Sequence, residues 1–263
     1  MVSALWNERH EYVPHALKIT VPSELTVHLN IVYYIVYVMQ GAGVKDPLLT
    51  ASIQYIINVV MTIPAILWMD RWGRRPTLLL GSFGMMTWLF ISGALQGAYG
   101  QTAKPGSDVT WELVDKSQQA KAIVACSYLF VATFATSWGP VSWTYPAEIY
   151  PLKIRAKAVS LSTATNWAWN CALAFAVPPL LRSINWKMYM IFATFNGCAL
   201  IHMFFTAHET KGKTLEEMDE VFDGPFKPWQ KAPTGSRMDE LARDIEAGKV
   251  KVGHVSEVEK AES

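Results

Sequence analysis

The chain has 263 residues, of which 51% are hydrophobic and 17% charged, with eleven tryptophans and a formal net charge of +1. The charges are uneven, with 18 in residues 30–207 and 22 in residues 208–263. An apolar body of this kind, without heptads, glycine periodicity or a basic face, excludes disorder, collagen, a coiled coil, a disulfide-stapled module and a nucleic-acid binder.

Residues 1–20 lack the apolar stretch of a cleavable signal peptide and carry Glu8, Arg9, Glu11 and Lys18, so the first apolar helix is expected to act as its own membrane signal. A bilayer core of about 30 Å needs about 20 apolar residues of helix. Runs of that order occupy residues 25–44, 49–69, 77–98, 122–145, 156–181 and 188–207, the first holding His28 and preceded by Glu24. The fourth and fifth runs read most clearly as spans. Basic residues gather at Asp70–Pro76 and at Lys153–Lys157, and the positive-inside rule places both clusters, and with them both termini, in the cytoplasm.

Polar groups inside hydrocarbon are costly unless satisfied, which singles out a few residues along these runs. Tyr33 and Tyr34 fit either an interfacial aromatic belt or a lid. Asn58, alone in the second run, reads more readily as interhelical glue than as a ligand. The fourth run holds Gly139-Pro140, Trp143 and Pro146, which predicts a kink or break there. Such a break marks either a substrate site or a packing kink. In the fifth run Asn166 and Asn170 are four residues apart, hence on one helix face, with Trp167 beside them. Two amides and an indole suit a sugar, and equally suit hydrogen bonds between helices.

Glu148, Arg155, Arg74 and Arg75 fall at cytoplasmic helix ends. They read as a breakable charge-assisted latch or, for the arginines, as topology signals alone. Cys126, Cys171 and Cys198 lie in apolar stretches and read as small buried hydrophobes. After residue 207, Thr214 and Glu217 form a capping-box pattern that predicts a short amphipathic helix in an otherwise solvated tail. No phosphate loop, zinc-binding His pair, Cys-x-x-Cys or nucleophile elbow occurs, so no catalytic residue, metal site or cofactor is expected.

Asp70-Arg-Trp-Gly-Arg-Arg-Pro76, Pro146-Ala-Glu-Ile-Tyr-Pro-Leu-Lys-Ile-Arg155, Asn166-Trp167 and Glu209-Thr-Lys-Gly212 together resemble the sugar porters of the major facilitator superfamily. The wording around 138–179 is most similar to fungal hexose transporters, and the resemblance runs from about residue 30 to 222. It implies an all-α membrane protein with six transmembrane helices as two inverted three-helix repeats, the carboxyl-terminal half of a major facilitator fold, followed by a cytoplasmic helical tail. Its divisions would be an atypical segment 1–29, read as a mis-joined or truncated start, a six-helix body 30–207 and a tail 208–263.

The implied function is transport of a hexose across the plasma membrane by alternating access, inactive without an amino-terminal half or another copy. The alternatives are a non-transporting sugar sensor or regulatory membrane protein, or a degenerate fragment. The resemblance places Asn58, Trp143, Asn166, Trp167 and Asn170 in the sugar cavity and Tyr33 and Tyr34 at an extracellular gate. It places Asp70, Arg74, Arg75, Glu148 and Arg155 in a cytoplasmic charge network. Two departures stand out. Residues 23–29 replace the family's Gln-Gln-x-x-Gly-x-Asn, whose amides are principal sugar ligands, and His208 replaces a proline.

Overall fold

A proline at the first helical position sacrifices no hydrogen bond, because that N–H has no partner within the helix. In the computed structural model α1 begins in this way and spans Pro47–Trp72, with the Thr50 hydroxyl and N–H both donating to the Asp46 carbonyl. The structure describes residues 46–102, 111–112, 117–150 and 155–212. α1 stops at Gly73, whose φ of +91° is costly for any residue with a Cβ, and the Gly73 N–H closes the helix on the Met69 carbonyl at 3.0 Å. The chain restarts at once as α2, Arg74–Tyr99.

Two short strands, β1 (Gln101–Thr102) and β2 (Trp111–Glu112), follow and pair antiparallel with Gln101 opposite Glu112, a hairpin that the sequence reading does not anticipate. The remaining helices are α3 (Ser117–Thr136), α4 (Trp138–Ile149), α5 (Arg155–Ile184) and α6 (Lys187–Thr206).

The expected runs 49–69, 77–98, 156–181 and 188–207 fall on α1, α2, α5 and α6, with ends shifted by a few residues. The run 122–145 is divided between α3 and α4, as its Gly-Pro pair predicts. Pro140 has no N–H to offer the Thr136 carbonyl, and its ring crowds that oxygen. The chain accordingly leaves the helix at Ser137, at φ −124° and ψ −84°. The run 25–44 and the helix expected from Thr214 lie outside the described residues.

Among the described residues, four segments are long and apolar enough to cross a membrane: Leu49–Trp72, Arg74–Tyr99, Gln118–Ile149 and Lys187–Thr206. α5, with 30 residues, has the length but is not among them, because Asn166, Asn170 and several Ser and Thr dilute its apolar surface. The reading of 156–181 as a clear span therefore holds for length and not for apolarity. α1 buries Thr50 and Gln54 while exposing Ile56, Val59, Val60, Ile63, Ile66 and Leu67, the arrangement expected when the surrounding solvent is as apolar as leucine.

The core is centred on α2, which packs most extensively against α6 and α3. Leu78, Met85 and Leu89 of α2 meet Phe130, Phe134 and Trp138 from the α3–α4 arm and Tyr189, Phe192 and Met203 from α6 in one buried cluster. Small residues let these backbones approach closely. Cys126 is buried as expected, whereas Cys171 and Cys198 are exposed. A small apolar side chain gains little from leaving a lipid-facing surface, so composition alone does not bury it.

Candidate functional site

α5 carries the polar face expected from its sequence. One helical turn separates Asn166 from Asn170, and the Asn170 Nδ2 donates to Asn166 Oδ1 at 2.8 Å and to the Asn166 carbonyl at 3.0 Å. The two amides are thus engaged with each other and are set in one orientation. The neighbouring indole has a different environment, since Trp167 is 61% exposed while Asn170 is 6% exposed. Trp143, on α4 beyond the break, is also exposed. Asn58 is half-buried in the middle of α1, where its carbonyl accepts the Thr62 hydroxyl at 2.7 Å. Tyr33 and Tyr34 lie outside the described residues.

The charged residues at the other expected site converge more tightly. Glu148, one residue from the end of α4, accepts Arg74 Nη2 at 2.7 Å and Nε at 3.2 Å on its Oε1. Its second oxygen accepts the Thr210 hydroxyl at 2.6 Å. Asp70 adds a second ion pair to Arg74 at 3.0 Å across one turn. Two members of the expected network are turned elsewhere. The Arg155 guanidinium donates to the Tyr150 carbonyl at 2.9 and 3.1 Å, bridging the end of α4 and the start of α5. The Arg75 guanidinium donates to the Phe204 carbonyl at 2.9 Å and lies 5.3 Å from the centre of the Phe204 ring. Burial pushes the Tyr150 hydroxyl above its ordinary range.

Glu209 is the residue that sequence reasoning missed. α2 begins without a side-chain cap from Gly73, which leaves its first N–H groups without helical partners. Glu209, distant in sequence, supplies both acceptors: Oε1 takes the Arg74 N–H at 2.9 Å and Oε2 takes the Arg75 N–H at 3.2 Å. A carboxylate there also opposes the positive end of the helix dipole. Gly73 makes room for it, since a Cβ at that position would sit 2.7 Å from Glu209 Oε2.

Lys211 ties the same segment to the Arg71 carbonyl, and the Tyr145 hydroxyl donates to the His208 carbonyl at 3.0 Å. Residues 208–211 therefore pin the start of α2 and the end of α4 together. In the sequence this segment is marked by the Glu-Thr-Lys-Gly string, which by itself does not indicate the helix that it caps. Replacing Glu209 by Ala is expected to cost about 1 kcal/mol, as for the loss of a helix N-cap. Thermal unfolding of the chain in lipid nanodiscs measures it, and an unchanged transition would remove the capping role.

The sequence profile described as "Sugar (and other) transporter" matches residues 15–222 of the chain. The chain belongs to the sugar transporter family. This family member is 58% identical over 225 residues to the MFS glucose transporter mfs1 of Aspergillus flavus, covering 84% of the chain and 42% of that protein. It is 44% identical over 207 residues to the high-affinity glucose transporter of Kluyveromyces lactis, covering 76% of the chain and 38% of that protein. It spans about two fifths of the length of these relatives.

Among solved structures it is similar to the inward-open xylose transporter XylE from E. coli. The TM-score is 0.64 at 27% identity, over 82% of this chain and 43% of that one. It is also similar to the proton:xylose symporter XylE bound to 6-bromo-6-deoxy-D-glucose, with a TM-score of 0.67 at 26% identity, over 80% and 42% of the two chains. The family is one of transporters rather than enzymes, and the four apolar segments make this member a multi-pass membrane protein.

Proposed function

We propose that this member of the sugar transporter family acts as the carboxyl-terminal half of a monosaccharide transporter in the plasma membrane, moving a hexose by alternating access. The observation that carries the reading is α5. A helix of membrane-spanning length with an amide pair fixed on it gains from facing a polar cavity or a partner and loses by facing lipid. Glucose transporters among its relatives favour a hexose as the occupant.

On this reading residues 30–207 form six spans in two inverted three-helix repeats and residues 208–263 form the cytoplasmic tail. Asn58, Trp143, Asn166, Trp167 and Asn170 line the sugar path, and Tyr33 and Tyr34 close its outer end. Arg74, Asp70 and Glu148 latch the cytoplasmic end. Arg75 and Arg155 support that latch through the carbonyls they hold. A cavity between two rocking bodies requires a second body, supplied by an amino-terminal half or another copy.

The test uses cells that lack hexose transporters. Co-expression with the amino-terminal half of a fungal hexose transporter is expected to restore glucose uptake. Asn166→Ala should then lower uptake about tenfold, in keeping with one lost hydrogen bond to a substrate, with membrane insertion unchanged. Glucose uptake by this chain alone, in a state that crosslinking shows to be a single copy, would sink the pairing requirement. Uptake indifferent to both Asn166→Ala and Trp167→Ala would remove the α5 site.

A further inference from the structure

The apolar segments Leu49–Trp72 and Lys187–Thr206 finish beside the Arg74–Glu148 pair, and Arg74–Tyr99 starts there. This rim of the bundle therefore lies where hydrocarbon gives way to headgroups. Its carboxylates are occupied. Asp70 and Glu148 both pair with Arg74, and the two Glu209 oxygens accept N–H groups at the start of α2. Arg71, Arg75 and Lys211 are left with no ion pair among the described residues.

The fold gathers these three cations from three parts of the chain. The Lys211 ammonium donates to the Arg71 carbonyl at the end of α1. The Lys211 N–H donates to Glu209 Oε1 at 3.0 Å, and the Arg75 N–H to Oε2 of the same carboxylate at 3.2 Å. The Arg75 side chain crosses to the end of α6, where its guanidinium meets the Phe204 carbonyl and ring. A carbonyl takes up some of the donors of a guanidinium or an ammonium and leaves the charge uncompensated. Arg71 and Lys211 are exposed, and Arg75 is half-buried.

The surroundings select the anion. Trp68 and Trp72 stack on α1 with ring centres 6.0 Å apart, and both are exposed, as is Phe204 on α6. Tryptophans at the end of a span sit at headgroup level. An anion free in water gains from the cations and nothing from this apolar flank. A phospholipid gains from both, with its phosphodiester on the cations and its acyl chains along α1 and α6, and guanidinium groups suit phosphate oxygens in particular. We propose that Arg71, Arg75 and Lys211 form a binding site for the headgroup phosphate of an anionic phospholipid. The site rests on the chain spanning a membrane and not on its carrying a sugar.

The test follows Trp72 by fluorine NMR of 5-fluorotryptophan in the full chain in phosphatidylcholine nanodiscs, with its resonance assigned through Trp72→Phe. Replacing phosphatidylcholine stepwise by phosphatidylglycerol is expected to shift this resonance saturably, whereas inorganic phosphate added to pure phosphatidylcholine discs leaves it in place. Arg71→Gln and Lys211→Gln should each raise the phosphatidylglycerol fraction at half-saturation about fivefold, the effect of one cation at an anionic surface. Lys157→Gln removes an exposed cation at the start of α5 and should leave the titration as in the parent chain. The remaining tryptophan resonances report whether each variant is folded, and if one site variant misfolds the other carries the test. The proposal falls if phosphatidylglycerol gives no saturable shift, if inorganic phosphate gives the same shift, if both site variants titrate like the parent, or if Lys157→Gln weakens the response as much as they do.

Discussion

Gly81→Val is expected to destabilise the chain by about 3 kcal/mol, at the upper end of what overpacking costs. A Cβ on Gly81 would lie 2.1 Å from the Ser137 Oγ, 2.4 Å from its Cβ and 3.1 Å from Trp138 Cδ1. None of these atoms is the free end of a flexible side chain. The Ser137 hydroxyl donates to the Thr133 carbonyl at 2.6 Å and its N–H to the Phe134 carbonyl at 3.1 Å. The Trp138 indole donates to Ser82 Oγ at 2.9 Å and to the Leu78 carbonyl at 3.2 Å, so the ring is bolted to the helix that carries Gly81.

Relief would require the α3–α4 junction to move off α2 as a unit. Ser137→Gly in the Gly81→Ala background removes the two atoms most in the way and should recover more than half of the stability that Gly81→Ala loses. The four-variant cycle, followed by thermal unfolding in nanodiscs, isolates that coupling. Additive losses, or a Gly81→Val chain as stable as the parent, would show that the junction yields without cost.

The same junction shows what the sequence makes legible. Gly139-Pro140 announces a break because proline's missing N–H and its ring act locally, within one turn. The spacing of Asn166 and Asn170 likewise yields their contact, because i and i+4 are neighbours on any helix. Helix length and position follow from apolar runs, since a bilayer fixes the length required.

What remained hidden depends on relations that no local rule encodes. Glu209 capping α2 joins residues more than a hundred positions apart, and neither segment alone shows a need for the other. Arg155 and Arg75 have the charge expected of a network and still spend it on carbonyls, because reach and geometry decide among acceptors. Trp167 stands in the open beside the amides because adjacent helical positions point about 100° apart, so sequence proximity does not imply a shared face. The exposed Cys171 and Cys198 show that lipid removes the link between apolarity and burial on which the sequence reading relied.

The Glu148 carboxylate is where those long-range relations meet, and Glu148→Ala is expected to cost about 2 kcal/mol. Removing one partner of a fully buried ion pair costs about 3–5 kcal/mol, because the remaining charge stays desolvated. Here the figure is reduced for two reasons. Glu148 is 24% exposed against 12% for Arg74, and Asp70 continues to offer Arg74 a carboxylate at 3.0 Å. The Thr210 hydroxyl also loses its acceptor, which loosens residues 208–211 from α4. Glu148→Gln keeps an oxygen for Arg74 and should lose about half as much, since a neutral acceptor replaces a charged one.

Asp70→Asn provides the contrast. Asp70 is 75% exposed, so that substitution should change stability by less than about 0.5 kcal/mol and have no effect in high salt. The Glu148 variants should keep most of their deficit in 1 M salt, because a shielded pair is screened far less, with about 1 M as the screening condition. Thermal unfolding at low and high salt separates the two behaviours. If Glu148→Ala lost no more than Asp70→Asn, or lost its deficit in salt, the Arg74–Glu148 contact would be a surface ion pair and the α2–α4 connection would rest on residues 208–211, through Glu209 on α2 and the Tyr145 contact on α4.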